Sequence, residues 1–447
     1  MRCTPIKLLS LCASVVLLAA CGGGGGDGHS HPVPNVPDTN EVTATSVSGS
    51  GCFNNLAGNY PCLHVSMVSG LDFNVQASDI WGWQDNVNGD DYAFLALTTG
   101  TAFIRMTNPE QPEFVAFLPS ATGSSAWRDV KLINEHAVVV SEAVGHGMQV
   151  VHIKDLVNRS GGETIAPIYH YTQFGSAHNV AVNEDSKFAY VVGSNTCNGG
   201  LHMIDMNDPH MPVFAGCYGG DGYTHDVQCA TYWGDDLDYR GREICLGANE
   251  DTLTIVDVTD KSSPVLVAKR SYPQVSYTHQ GWLTQDHNYF VLGDETDETS
   301  FGIKTRTVIF DTRDLDNPVY ISAFNNTTNS IDHNLYVKDK HIYQANYTSG
   351  VRILRHGNLA QAQLREVAYF DTWPQNNSAV FDGVWSVFPY FDSGLIVTAN
   401  ISGRFFILQP DLGAIPECDD TLDNDGDGDV DFPADSSCSS AQTEFEN

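Results

Sequence analysis

The sequence predicts an all-β protein: a seven-bladed β-propeller followed by a small calcium-loop extension. Three observations carry this reading. One pattern recurs seven times between Trp81 and Trp385, at steps of 47–54 residues. Each unit holds about four short apolar runs separated by Gly, Pro or acidic turns, and a twisted sheet of that size buries both faces only when neighbours flank it. Fifty residues is short for an independent core, which disfavours an open array of separate domains. The last unit lacks a fourth strand, and the run LHVSMV at 63–68, ahead of the first unit, is placed to supply it and close the circle.

Taken in order, residues 1–20 contain Arg2, Lys7 and an apolar stretch ending in Leu18-Ala19-Ala20, directly before Cys21. Small residues followed at once by cysteine form a lipobox inside a signal peptide, with the Cys21 thiol as lipid acceptor. The apolar run is too short to span a bilayer. Gly22 rather than an acidic residue follows the cysteine, a likeness to Gram-negative lipoproteins of the outer membrane. Residues 21–50, with five consecutive glycines and scattered prolines, read as a flexible tether.

Residues 51–412 are assigned to the propeller. The unit heads read IWGWQ, WRDVKL, AHNVAV, THDVQC, THQGWL, DHNLYV and VWSVFP. Second strands such as AVVVSEA and YFVLGDE follow, then third strands such as LTIVDV and TVIFDT that often end in Asp, then Pro-bearing turns and a fourth strand such as PVLVAKR.

Residues 413–447 form an acidic tail. Within CDDTLDNDGDGDVDFPADSSC, Asp423, Asp425 and Asp427 alternate, Gly428 permits a sharp turn, the Asp429 carbonyl is placed to ligate, and Asp431 takes the ninth position. Alternate carboxylates around a glycine turn suit Ca²⁺, which takes six to eight oxygens. Ala434 stands where a bidentate Glu would close the loop, and Asp435 lies one residue beyond. The alternative is a solvated acidic run.

A net charge of −33 argues against nucleic acid and anionic headgroups as partners, since both would be repelled. Cys3, Cys12 and Cys21 fall in the leader and lipobox. The other eight cysteines form four sequence-local couples: Cys52 with Cys62, Cys197 with Cys217, Cys229 with Cys245, and Cys418 with Cys438. Spacing alone does not prove connectivity. With no CxxC present, structural disulfides in an exported protein are the expectation over a metal or redox cluster.

In a propeller the innermost strand starts, and the second strand ends, at one face of the disc. That places Trp81, Arg128, His178, His225, His279, His333 and Trp385 around the channel mouth, with Glu142, Glu250 and Glu295 behind them. Converging imidazoles and carboxylates can bind a divalent transition metal or act as acid and base. The competing reading is that each His is a repeat residue that ties neighbouring blades together. Trp83, Trp127 and Trp282 also lie near the heads and can stack on flat ligands or pack between blades. No nucleophile elbow, P-loop or HExxH is present.

The segments IWGWQD, GTAFIRM, WRDVKL, SEAVGHGMQV, THDVQC, REICLGANED, LTIVDV and DHNLYV, with the cysteine-bounded acidic loop, resemble the choice-of-anchor B family of LVIVD-repeat proteins over roughly residues 50 to 412. The resemblance implies a surface-exposed propeller held to the cell by a variable device, here Cys21, and it carries over no catalytic residue. The expectation is therefore an outer-membrane lipoprotein, facing the cell surface or the periplasm. It would bind a surface protein, a glycan or a small molecule. The rival is a metal-dependent enzyme, an oxygenase, lyase or hydrolase, centred on the four histidines. A third reading makes the ring a scaffold for assembly with other surface proteins.

Overall fold

The computed structural model describes residues 41–443, 445 and 446. The expected signal peptide, Cys21 and most of the expected tether lie outside the described residues. Seven sheets, antiparallel but for the short parallel pairing of Glu163–Thr164 with Glu113–Pro119, form a β-propeller. The innermost strands are Ala77–Gln84, Arg128–Ile133, Asn179–Asn183, Asp226–Thr231, Thr278–Leu283, Asn334–Lys338 and Val384–Phe388, heading blades 1 to 7. Among the described residues the one α-helix is Asp297–Phe301, in a loop of blade 5.

Strand periodicity explains how the ring holds. In His136–Ser141 the side chains of Ala137 and Val139 pack toward blade 1, and those of Val138 and Val140 toward blade 3. A strand buried on both faces reads as an unbroken apolar run, which is what AVVVS is. Each of the seven junctions between blades has its own apolar cluster, from Phe94, Phe103 and Val130 between blades 1 and 2 to Tyr343, Ile353 and Phe406 between blades 6 and 7.

The repeated third strand carries a further device. Its pairing with the fourth strand shifts register at Phe103/Ile104, Met203/Ile204, Ile255/Val256, Ile309/Phe310, Ile353/Leu354 and Ile407/Leu408. Such a bulge increases local twist and turns the outer strand away from edge pairing. The terminal Asp of the third strand closes the next turn: Asp205, Asp257 and Asp311 each accept the backbone N–H two residues on, at 2.9–3.0 Å.

Blade 7 is completed from the start of the chain. Val65–Phe73 pairs with Arg404–Pro410 as the fourth strand, so the closing strand begins two residues later than LHVSMV and runs on to Phe73. Gly70 permits this fit, because a Cβ there would sit 2.4 Å from the Phe405 carbonyl oxygen. Ala44–Ser50 adds a fifth strand to the same sheet, so the tether expected over 21–50 gives way to ordered strand at Ala44. The hairpin of Leu56–Ala57 and Tyr60–Leu63 extends blade 6. All four expected disulfides are formed: Cys52–Cys62, Cys197–Cys217, Cys229–Cys245 and Cys418–Cys438.

Candidate functional site

The head strands present three tiers of side chains down the axis. The upper tier is Arg128, His178, His225, His279, His333 and Trp385; Trp81, expected in this tier, lies at the opposite end with Trp282, Phe388 and Tyr390. The cause is local. Pairing of Ala77–Gln84 with Asp91–Leu97 jumps from Ala77 to Ile80, so Ser78 takes the place equivalent to Arg128 and donates to the Arg128 carbonyl at 3.0 Å.

The four imidazoles are buried and run side by side around the axis, with centroid separations of 4.2 Å (His178–His225), 4.1 Å (His225–His279) and 4.4 Å (His279–His333). His225 Nδ1 meets the His279 carbonyl at 3.0 Å and His333 Nδ1 meets the Trp385 carbonyl at 2.5 Å, each reaching the next blade's head. A carbonyl only accepts, so Nδ1 is the donor in both contacts, and in a neutral His333 that leaves Nε2 its lone pair. Burial holds His279 well below the usual imidazole range and pulls His333 down to about 3. Both are neutral at pH 7.

The carboxylates separate into distinct roles. Glu142 Oε1 lies 2.6 Å from His178 Nδ1 and borders an open cleft of about 630 Å³ with Asn195, Asn198 and Tyr223. Glu295 sits between two imidazoles, with Oε2 3.7 Å from His279 Nε2 and Oε1 3.6 Å from His333 Nε2, and accepts the Tyr347 hydroxyl at 2.7 Å. Glu250 has left-handed backbone, φ 59°, and its carbonyl accepts from Thr278 N at 2.6 Å. Arg128, expected at the mouth, turns its guanidinium between blades 1 and 2, onto the Leu97 carbonyl, Ser120 Oγ and His146 Nε2. Burial pulls it down to about 9.

Below the imidazoles lies a group that sequence reasoning missed. Lys131 Nζ bonds Asp79 Oδ2 at 2.9 Å and Asp129 Oδ1 at 2.5 Å, with Asp226 nearby. Burial opposes the ammonium, but Asp129 and Asp79 outweigh it and hold Lys131 well above its ordinary value. Burial also pushes the Asp226 carboxyl up to about 6. The same positions lock the ring: Asp129 Oδ2 accepts Val180 N at 2.7 Å and Gln280 Oε1 accepts Leu335 N at 2.9 Å. The signal was present in WRDVKL and THDVQC, where Asp129 and Asp226 directly follow the mouth residue and Lys131 comes two residues after Asp129, while Asp79 lies just ahead of IWGWQ.

This ion cluster divides the channel. Above it, at the histidine level, the cavity is about 20 Å³, room for roughly one water or ion. Below it opens a chamber of about 380 Å³ walled by Trp81, Trp282, Tyr336, Phe388 and Tyr390, with Lys131 and Asp226 among its lining. The rings form a connected wall: Trp282–Tyr336 centroids lie 5.0 Å apart, Trp81–Tyr336 5.7 Å and Trp81–Phe388 5.1 Å.

The tail docks on blade 6 through Arg355, which bonds Asp420 Oδ2 at 2.8 Å and the carbonyls of Leu412 and Ile415. Asp423, Asp425 and Asp427 each offer an oxygen within 4.8 Å of the others. Asp429 is exposed. Asp431 instead accepts the N–H groups of Asp420 and Thr421, both at 2.9 Å, and Asp435 accepts that of Ser437 at 2.6 Å.

Comparison with known families matches the LVIVD repeat at residues 174–219 and 244–271, which fall in blades 3 and 4. No curated protein matched the chain.

Proposed function

We propose that this propeller of LVIVD repeats is a lipid-anchored, extracytoplasmic binding module of the choice-of-anchor B kind, held at the outer membrane through Cys21. Its ligand site is the aromatic chamber at the end of the channel away from the histidines. One contrast carries the reading: the chamber offers about 380 Å³ with aromatic walls and a charged floor, whereas the histidine level admits a single small species. Ligand pockets are concave, mostly apolar and carry a few fixed polar groups. Aromatic faces beside Lys131 and Asp226 suit a ring with one apolar face and polar edges, such as a sugar. The test is titration of short glycans while tryptophan fluorescence is followed. Trp282→Ala is expected to weaken binding about tenfold or more, as loss of a stacking anchor does. Saturable binding that Trp282→Ala leaves unchanged, or no binding across a broad glycan panel, would remove the chamber from the reading.

In the same proposal the tail loop takes Ca²⁺ through Asp423, Asp425 and Asp427, stabilising the segment that docks on blade 6. Calorimetric titration of the full chain checks it: Asp425→Asn should abolish or greatly weaken one binding event.

A second reading, a metal-dependent enzyme, is favoured by one observation. His279, Glu295 and His333 bring three ligand atoms within 4.8 Å in a buried setting. The Nε2 lone pair of His333 faces a carboxylate oxygen, and two imidazoles with one carboxylate suit Zn²⁺ or Fe²⁺. Elemental analysis decides: stoichiometric transition metal, lost on His279→Ala, supports a metal centre. Folded protein that takes up none after reconstitution excludes it.

A further inference from the structure

We propose that the carboxylates of Asp297, Glu298 and Asp332 hold a structural Ca²⁺ ion inside the junction of blades 5 and 6. Asp297 and Glu298 begin the short helix Asp297–Phe301, and Asp332 precedes the head strand of blade 6. All three side chains are buried, at 0%, 3% and 2% exposure, and each brings an oxygen within 4.8 Å of the others. Five of their six carboxylate oxygens, Asp297 Oδ1, both of Glu298 and both of Asp332, meet no N–H or hydroxyl donor from another residue and face only one another within the cluster. The sixth, Asp297 Oδ2, meets Arg306.

That arrangement is costly without a cation. Buried polar atoms are paired in the great majority of cases, and an unpaired buried carboxylate is among the most expensive groups to leave so. Arg306 already serves Asp294 as well as Asp297, so its one guanidinium is divided between two carboxylates. The donors are all hard oxygens, with neither nitrogen nor sulfur among them. Oxygens around Ca²⁺ at about 2.3–2.6 Å span up to about 5 Å, which accommodates three atoms within 4.8 Å of one another; Mg²⁺ demands a near-ideal octahedron and gives up its waters reluctantly, which a buried cluster of carboxylates suits less well. Room for the group comes from Gly293, where a Cβ would lie 2.1 Å from Asp332 Oδ2.

The ion would join two blades and fix the segments that carry Glu295 and His333. This site is separate from the tail loop and does not depend on the proposed ligand chamber. The test uses the full chain with the tail loop disabled by Asp423→Asn, Asp425→Asn and Asp427→Asn, stripped with EGTA and then supplied with CaCl₂. Atomic emission should find about one calcium per chain after desalting, and the thermal midpoint should rise by about 5 °C or more in calcium. Adding Glu298→Gln and Asp332→Asn should remove both effects, with circular dichroism reporting whether that variant folds. Absence of calcium from the tail-disabled chain, with one midpoint in CaCl₂ and EGTA, would overturn the proposal whether or not the second variant folds. Calcium retained by a folded second variant, or an equal shift from MgCl₂, would do the same.

Discussion

His202 shows how much a single buried side chain contributes here. Its ring lies between Tyr171 and Thr196, with Nε2 2.9 Å from the Tyr171 hydroxyl and Nδ1 2.9 Å from Thr196 Oγ1, and burial lowers it from 6.5 to about 4. Between those two values the unfolded chain takes up a proton that the folded chain refuses. The stability this group confers is therefore complete above about pH 6.5 and is lost progressively as pH falls toward 4. Denaturant titrations at pH 7 and pH 5 should differ by about 2 kcal/mol on this account, and His202→Gln should flatten the slope by that amount. Lys131 makes the opposite case, a charge that must stay. Lys131→Met leaves Asp79 and Asp129 buried without their cation and should cost about 3–5 kcal/mol in equilibrium unfolding. Combining it with Asp79→Asn and Asp129→Asn should recover most of the loss.

Among elements, the closing strand matters most. Val65–Phe73 pairs on both sides, with Arg404–Pro410 within and Ala44–Ser50 without, whereas Ala44–Ser50 has one neighbour and a largely exposed outer face. A chain starting after residue 50 should keep a cooperative melt with a modestly lower midpoint. A chain starting after residue 73 leaves Arg404–Pro410, the third strand of blade 7, unpaired on its outer side and should aggregate or melt without cooperativity, as scanning calorimetry and light scattering would show. The number of blades and the N-terminal closure were legible because repeat length and strand periodicity are local properties of the chain. The register of the first head was not: IWGW imitates a head, and the irregular pairing from Ala77 to Ile80 that displaces Trp81 depends on the neighbouring strand. In the same way the four histidines could be placed on one tier from their spacing. Which nitrogen each turns to a carbonyl, and that Arg128 points between blades, follow from contacts between units far apart in sequence. The carboxylates of Asp297, Glu298 and Asp332 were invisible for that reason too, since an insertion in one blade meets the head of the next.

For the molecule as a whole, 55 acidic residues against 22 basic ones leave a surface that repels itself. The screening length falls from about 30 Å at 0.01 M salt to about 10 Å at 0.1 M. The melting midpoint in EGTA should therefore rise with NaCl over that range and level off beyond it. A midpoint that fell with added salt would mean that surface ion pairs outweigh the repulsion.

The sharing of blade 7 between the two ends of the propeller has a consequence for how this protein can come apart. In a linear string of domains one proteolytic nick frees a fragment. Here a cut in a loop between two blades merely turns a clasped bracelet into one fastened elsewhere, because both pieces stay engaged at two interfaces, the new gap and blade 7. A molecule nicked once between blades should elute from gel filtration at its original size and part into two bands only under denaturing conditions.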